Sequence, residues 1–409
     1  MADASTPKQT PAPKDRRMTA IFLVVLIDIL GLTIILPLLP FYAERFKANP
    51  LEVGALVSVY ALCQMVAGPF LGHWSDRIGR KPVLIVSQIG TFIGFLILGF
   101  AQSLVWIFIS RIMDGLTAGN LSTAQAYITD IAAPQDRAKQ LGKIGIAFGL
   151  GFFVGPTLTA FLSKFGYQVP IFTAAGLSAL SILASATLLP KETIDPVTHA
   201  AHPDQKYTSG ISQAVAYLKN PALAKLLIQI GLFYFSFSSF MAGFALFCER
   251  KFTVNGHQMS ATEVGYALAY FGFLGILLQG FMIGPLVKRF GERTIVYAGF
   301  ITSTIGYAMM AFISAPIWIA VTGIFTGFGT GVLRPVLIAE MTAEVAANER
   351  GRLMGANQAL QSLAQIIAPM IATTFILRSL LPEWAMFAAI LNLVGVVFVM
   401  MQRKKAAAQ

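Results

Sequence analysis

The sequence predicts an all-α polytopic membrane protein, with twelve transmembrane helices in two pseudo-symmetric six-helix bundles. Three observations carry that prediction. Only 12% of the 409 residues are charged while 56% are hydrophobic, and the mean hydropathy is +0.69; a soluble chain would carry about a quarter charged residues. Apolar runs long enough to cross the hydrocarbon layer, which takes ~20 residues per helix, recur from one end of the chain to the other. The chain also repeats itself at a shift of 212 or 213 residues.

The elements follow in order. Residues 1–17 are polar and rich in Pro, Ala and Lys, without the apolar core of a signal peptide, and are expected to form a disordered cytoplasmic tail. Residues 18–189 form the N-terminal six-helix bundle. Its apolar runs, bounded by charged or Pro/Gly breaks, lie near 18–40, 51–72, 82–101, 103–127, 139–163 and 167–189. The polar segment 190–220, KETIDPVTHAAHPDQKYTSG at its core, reads as a cytoplasmic linker. Residues 221–403 form the second bundle, with runs near 221–248, 262–286, 293–313, 316–340, 350–378 and 383–402, and 404–409 are a short tail.

The basic residues orient these spans. With the N-terminus inside, 22 of the 30 Lys and Arg fall on cytoplasmic segments and six (Arg45, Lys47, Lys164, Arg250, Lys251, Arg378) on external ones, leaving Arg111 and Arg334 within spans. That bias follows the positive-inside rule. The net charge of +11 therefore reports topology, and nucleic acid is not an expected partner. Both termini are expected in the cytoplasm of a bacterial-type inner membrane. Cys63 and Cys248 have no metal-ligand spacing, and the four histidines (73, 199, 202, 257) fall in or beside loops, so nothing suggests a metal centre. With no nucleophile–base pair and no soluble signalling domain, a membrane-embedded enzyme or a sensor is disfavoured.

The repeat is specific. Gly72, Arg77 and Gly79 return as Gly284, Arg289 and Gly291; Asp136-Arg137, Gly142 and Pro156 return as Glu349-Arg350, Gly355 and Pro369. Parallel halves of this kind place a transporter's binding site between them, near the bilayer midplane.

Four stretches sharpen the reading. GHWSDRIGRKP (72–82) resembles the G-x-x-x-D-R-x-G-R-K loop of the major facilitator superfamily at every fixed position: Gly72, Asp76, Arg77, Gly79, Arg80 and Lys81. RIMDGLTAG (111–119) is similar to the family's R-x-x-x-G motif, and GLGFFVGPTLTAF (149–161) to the G-x-x-x-G-P motif of its antiporters through Gly151, Gly155 and Pro156. LIDILGLTIILPLLP resembles the first helix of twelve-helix drug/proton antiporters of the tetracycline-efflux type, with Asp28 at the family's carboxylate. The resemblance covers essentially the whole chain and implies the major facilitator fold. It also implies a cytoplasmic latch in the 72–82 loop, and secondary active transport by alternating access with a proton as the coupling ion and no other cofactor. In the second copy of the loop Lys288 stands at the acid's position, so that latch is expected to be weaker or differently paired. Where that group places further acids in helices 3 and 9 this chain has Gly94 and Ser303, which argues against tetracycline itself as the substrate.

Candidate functional residues follow. Asp28 is the expected proton-coupling carboxylate and Asp114 the fallback. A charge at the bilayer centre costs about 2.5–3.5 kcal/mol on insertion scales, which is tolerable beside water, a cation or a bound proton. Arg111 is placed to meet Asp28 near the midplane; the alternative is an internal pair with Asp114 at i, i+3. Asn357, Gln361 and Gln365 form one polar stripe on span 11, either lining a cavity or bonding between helices. Tyr234, Phe237 and Phe240 enrich span 7 in rings that either pack or suit flat solutes. Gln64, Asn120 and Gln125 add neutral polarity, and Arg334 either contacts substrate, snorkels or pairs with Glu340. The function expected is proton-coupled efflux of lipophilic, drug-like small molecules by a monomer, with a carrier of organic anions or metabolites as the alternative.

Overall fold

Breaks in the apolar sequence become the ends of helices. The computed structural model describes residues 13–132, 137–189, 210–346 and 349–407. The first half contains α1 (Pro13–Glu44), α2 (Pro50–Ile78), α3 (Arg80–Gly99), α4 (Leu104–Leu116), α5 (Asn120–Ile131), α6 (Arg137–Leu162) and α7 (Gln168–Leu188). A short helix, α8 (Gly210–Tyr217), lies in the segment read as linker and packs on α14. The second half contains α9 (Pro221–Lys251), α10 (Ala261–Leu277), a π-helical turn (Leu278–Met282), α11 (Ile283–Phe290), α12 (Glu292–Phe312), α13 (Trp318–Ala343), α14 (Arg350–Leu377) and α15 (Leu381–Ala407).

Local chemistry sets these boundaries. Asn49 and Glu52 form a reciprocal capping box before α2, with Pro50 in the first turn, and Ser260 with Glu263 does the same for α10. Gly79 joins α2 to α3 at φ 98° and ψ 156°; Gly291 joins α11 to α12 at φ 79° and ψ 155°. That region is open to glycine at no steric cost, and the repeat of the sequence is thus a repeat of the backbone.

Among the described residues, eleven helices are long and apolar enough to cross a membrane. The twelfth crossing is α4 followed by α5, in place of the single helix expected over 103–127. The chain leaves helical geometry at Thr117–Gly119, where the Thr117 hydroxyl turns back to the Met113 carbonyl at 2.9 Å. Gly119 fits tightly there, since a Cβ on it would lie 2.8 Å from Leu71 and 2.9 Å from the Ser87 hydroxyl. The first helix also begins earlier than expected, at Pro13, a residue well suited to a first helical turn, and its membrane-crossing part runs over Arg17–Glu44. The rest of the 1–17 tail and most of the 190–220 linker lie outside the described residues.

An even number of crossings leaves the start of α1 and the end of α15 on one face, here termed the terminal face. The hydrophobic cores divide unequally about it. Near the opposite face one continuous core draws on both halves, including Leu38, Tyr42, Leu56 and Phe95 from the first and Phe244, Val264, Ala372 and Trp384 from the second. Toward the terminal face the core splits. Ile21, Val24, Leu84, Tyr127 and Ala147 form one cluster within the first half, and Leu223, Ile230, Val296, Leu333 and Leu353 another within the second.

Candidate functional site

The first half carries a polar cluster spread over five crossings. Asp28, half-buried on α1, accepts from the side-chain amide of Gln88 on α3 at 3.4 Å. The same amide donates to Ser181 on α7 at 2.7 Å, and the Ser181 hydroxyl is also within hydrogen-bond reach of Asp28. Among the described residues no cation lies within 4.0 Å of Asp28. The expected meeting of Asp28 with Arg111 is not formed. Arg111 pairs with Asp114 at 3.3 Å, one turn along α4, and each of their side chains is only 5% exposed. Its guanidinium also lies 5.9 Å from the Tyr60 ring centroid on α2, and Thr91 hydrogen-bonds Asp114. Pairing one turn away on a single helix is available locally, whereas Asp28 would have to be reached across a helix interface. Gly94 explains why α4 sits so close to α3: a Cβ there would lie 3.1 Å from that of Asp114. The helix-3 position where an acid was expected is thus empty of side chain, and a carboxylate from helix 4 sits against it.

The second half carries a smaller cluster. Tyr234 on α9 donates to Asn357 on α14 at 3.1 Å, both buried, and Arg334 on α13 is within hydrogen-bond reach of the Tyr234 oxygen. Arg334 stacks across the interface between halves, 5.8 Å from the Phe148 ring centroid on α6. Among the described residues it has no carboxylate partner, so the alternative pairing with Glu340 is not formed. One turn along α14, Gln361 turns a buried carbonyl oxygen toward no hydrogen-bond partner among the described residues, and Gln365 is half-buried.

Other expected site residues fall elsewhere. Phe240 is 3% exposed and enclosed by Phe244, Phe271, Tyr307 and Trp384, so it belongs to the shared core near the opposite face rather than to a cavity. Phe237 stacks on Phe233 at 5.8 Å. Gln64 and Asn120 are half-buried and Gln125 is exposed. Ser303 is fully buried, facing Gly329.

The 72–82 loop is a network internal to the first half. Arg80 pairs with Asp76 one turn back and, at 2.9 Å, with Asp130 at the end of α5. It also donates to Ser75 at 2.7 Å. Lys81 caps the end of α7 by donating to the carbonyls of Ala186 (2.8 Å) and Leu189. Arg77 is exposed, and Gly72 accepts from the Ser75 hydroxyl at 2.7 Å. In the second copy Arg289 lies over the Phe290 ring, and neither it nor Lys288 forms an ion pair among the described residues.

The G-x-x-x-G-P residues fasten α6 to the helix that bears Asp28. A Cβ at Gly151 would strike Ile29 and one at Gly155 would lie 2.7 Å from the Thr33 Cβ. The Thr33 hydroxyl donates to the Gly151 carbonyl at 2.9 Å. Pro156 turns its carbonyl the other way, toward Gly265 of α10, where an added Cβ would stand 2.9 Å from the oxygen. The repeat reproduces this contact: a Cβ at Gly54 of α2 would stand 3.0 Å from the carbonyl of Pro369 on α14. Polar ties across the halves include Ser58 to the Ile366 carbonyl (2.7 Å), Ser163 to Thr262 (3.0 Å) and Arg250 to Glu44 (2.7 Å).

Sequence reasoning did not single out Gln88, Ser181, Thr91, Tyr60, Phe148 or Asp130. Gln88 alone carried a visible signal, as an amide in the middle of an apolar span.

The sequence profile described as Major Facilitator Superfamily matches residues 21–256 and 252–408. The class C tetracycline resistance protein of Escherichia coli is 30% identical over 366 residues, covering 85% of this chain and 87% of that protein. Multidrug resistance protein 2 of Bacillus subtilis (strain 168) is 26% identical, covering 85% and 87%. Among solved structures, the nucleoside transporter NupG superposes with a TM-score of 0.73 at 15% identity, covering 94% of this chain and 97% of that one. In sequence, in fold and in the repeated glycine–proline contacts, the chain belongs to the major facilitator superfamily of membrane transporters.

Proposed function

We propose that the protein is a proton-coupled exporter of lipophilic, drug-like small molecules, working by alternating access in a bacterial-type inner membrane with both termini in the cytoplasm. The observation that carries the reading is Asp28: a carboxylate deep in a span, bonded by neutral Gln88 and within reach of the Ser181 hydroxyl, while Arg111 on α4 is occupied by Asp114. Such a group takes up or releases a proton without breaking an ion pair. A carboxyl group cut off from water holds its proton more readily than one in contact with water, so access from alternate sides is translated into proton binding and release. Asp114 is the fallback site.

The arrangement of the cores supports alternating access. A core shared near the opposite face and divided toward the terminal face describes halves closed on one side and separable on the other. With the basic loops cytoplasmic, this is the inward-facing state, in which Asp28 meets cytoplasmic water. One chain supplies both halves, so the transporting unit is a monomer, with the bilayer, protons and a small solute as its partners. The relatives named for tetracycline and multidrug resistance support the substrate class, and the proton is the one coupling ion.

The test is a pH-gradient assay in proteoliposomes against cationic, neutral and anionic compounds. Substrate-induced proton movement that disappears in Asp28→Asn, with the variant still folded, supports the reading. Full gradient-driven transport by that variant refutes Asp28 as the coupling site.

A further inference from the structure

The charges in the spans are unevenly matched. Arg111, the other arginine within a span, pairs with Asp114, and outside the spans Arg80 pairs with Asp76 and Asp130 and Arg250 with Glu44. Arg334 has none among the described residues. It is half-buried about 14 Å along α13 from the terminal face, and Asp28 stands about 16 Å into the first span from the same side. A lone acid in one half therefore sits at nearly the depth of a lone base in the other.

The surroundings of Arg334 hold its guanidinium without neutralising it. It lies within hydrogen-bond reach of the Tyr234 oxygen, and the Tyr234 hydroxyl donates its own hydrogen bond to the Asn357 carbonyl oxygen. Both supports are neutral and buried, so the positive charge is kept and its direction fixed. The remaining face lies over Phe148, which continues into Phe152 with ring centroids 6.5 Å apart and planes 24° from parallel. A guanidinium presents a planar fork that matches a carboxylate bidentately, and it stacks on aromatic faces. One turn along α14 from Asn357, the carbonyl oxygen of Gln361 is buried with no hydrogen-bond partner among the described residues.

We infer that Arg334, oriented by Tyr234 and Asn357 and backed by Phe148, is the docking point for the acidic group of planar aromatic monoanions, so that the exported class includes aromatic compounds with one carboxylate or equivalent acid. This rests on the transport reading above and adds a charge preference to it. The acid sits on Arg334 and the ring lies along Phe148 and Phe152. Because those rings belong to the first half and Arg334 to the second, the ligand bridges the halves. Arg334 binds the solute and Asp28 binds the proton, in separate halves at similar depth.

The experiment measures binding and gradient-driven transport of three compounds with one ring system: 2-naphthoate, its neutral carboxamide 2-naphthamide, and cationic 2-naphthylmethylamine. The full-length protein is used in proteoliposomes, as wild type, Arg334→Gln, Arg334→Lys, Phe148→Leu and Asp28→Asn. The expected result is that wild type favours naphthoate over naphthamide by tenfold or more. Arg334→Gln abolishes that ratio, Arg334→Lys restores part of it, and Phe148→Leu lowers affinity for naphthoate severalfold. Should Arg334→Gln fail to fold, the Lys variant and Phe148→Leu, read against thermal unfolding, still decide the matter. Equal handling of all three compounds by wild type, or an unchanged ratio in the Arg334 variants, overturns the inference and leaves proton-coupled export standing. Naphthoate binding that depends on Arg334, without any Asp28-dependent proton movement, supports the anion site and sinks the export mechanism instead.

Discussion

Gly265→Ala is expected to open the face opposite the termini. A Cβ at this position would lie 2.9 Å from the Pro156 carbonyl oxygen, 2.9 Å from the Ala160 Cβ and 3.0 Å from the Ala160 nitrogen. Backbone cannot swing aside as a side chain does, so α10 and α6 must part by about 0.5 Å to recover ordinary contact. Overpacking of this kind costs about 1–3 kcal/mol. The penalty falls only on the state in which the two helices touch, so it shifts the equilibrium between closed and open forms by roughly 5- to 150-fold. Electron–electron resonance between spin labels on cysteines at Gln102 and Asn255, exposed loop residues of different halves, reads the opening directly. The background carries Cys63→Ala, and the buried Cys248 stays unlabelled. Gly265→Ala should move population toward the longer distance, and Gly54→Ala, the repeat-related contact against Pro369, should do the same. Gly275→Ala on the same helix has open space around its Cβ and should leave the distribution alone. A wild-type distribution in Gly265→Ala, or an equal shift in Gly275→Ala, would refute the reasoning.

Asp114→Asn strands the buried Arg111 and should destabilise the protein by about 3–5 kcal/mol, with Arg111→Gln/Asp114→Asn recovering much of the loss; thermal unfolding in detergent checks both. Glu44→Gln removes the ion pair to Arg250, which is partly exposed and worth at most ~1 kcal/mol. It should shift the spin-label distances less than Gly265→Ala does, and high salt should mimic it. Ala at Gly79 or Gly291 must adopt φ 98° or 79° with ψ near 155°, a region essentially reserved for glycine, at about 1–3 kcal/mol each. The two variants should lose similar thermal stability, because the two turns share one conformation. Asp28→Asn should retain compound binding but lose gradient-driven uptake, measured on the same proteoliposomes.

The spans were legible because their determinants are local. A run of apolar residues between Pro221 and Lys251 is a helix whatever surrounds it, and the structure ends α9 within a few residues of the expected 221–248. The break at Thr117–Gly119 was not legible, because small residues are common inside membrane helices and no proline marks it. Charges in apolar runs drew attention to Asp28, Arg111 and Arg334, but their partners are a tertiary matter. Gln88 and Ser181 come from two further helices. The i, i+3 geometry that pairs Arg111 with Asp114 was visible only as one of two options. Phe240 shows a further limit: a ring-rich helix does not state which of its faces meets α12 and α15, and that choice separates core from cavity.

The interruption in the fourth crossing has a mechanical consequence. The piece farther from the terminal face, α4, holds the Arg111–Asp114 pair against the Gly94 notch. The piece nearer that face, α5, is tied by Asp130 to Arg80 in the 72–82 loop. A continuous helix would force these two attachments to turn together. Two short rods joined by a three-residue joint can swivel separately, so a twist near the charged pair is absorbed at Thr117–Gly119 before it strains the loop.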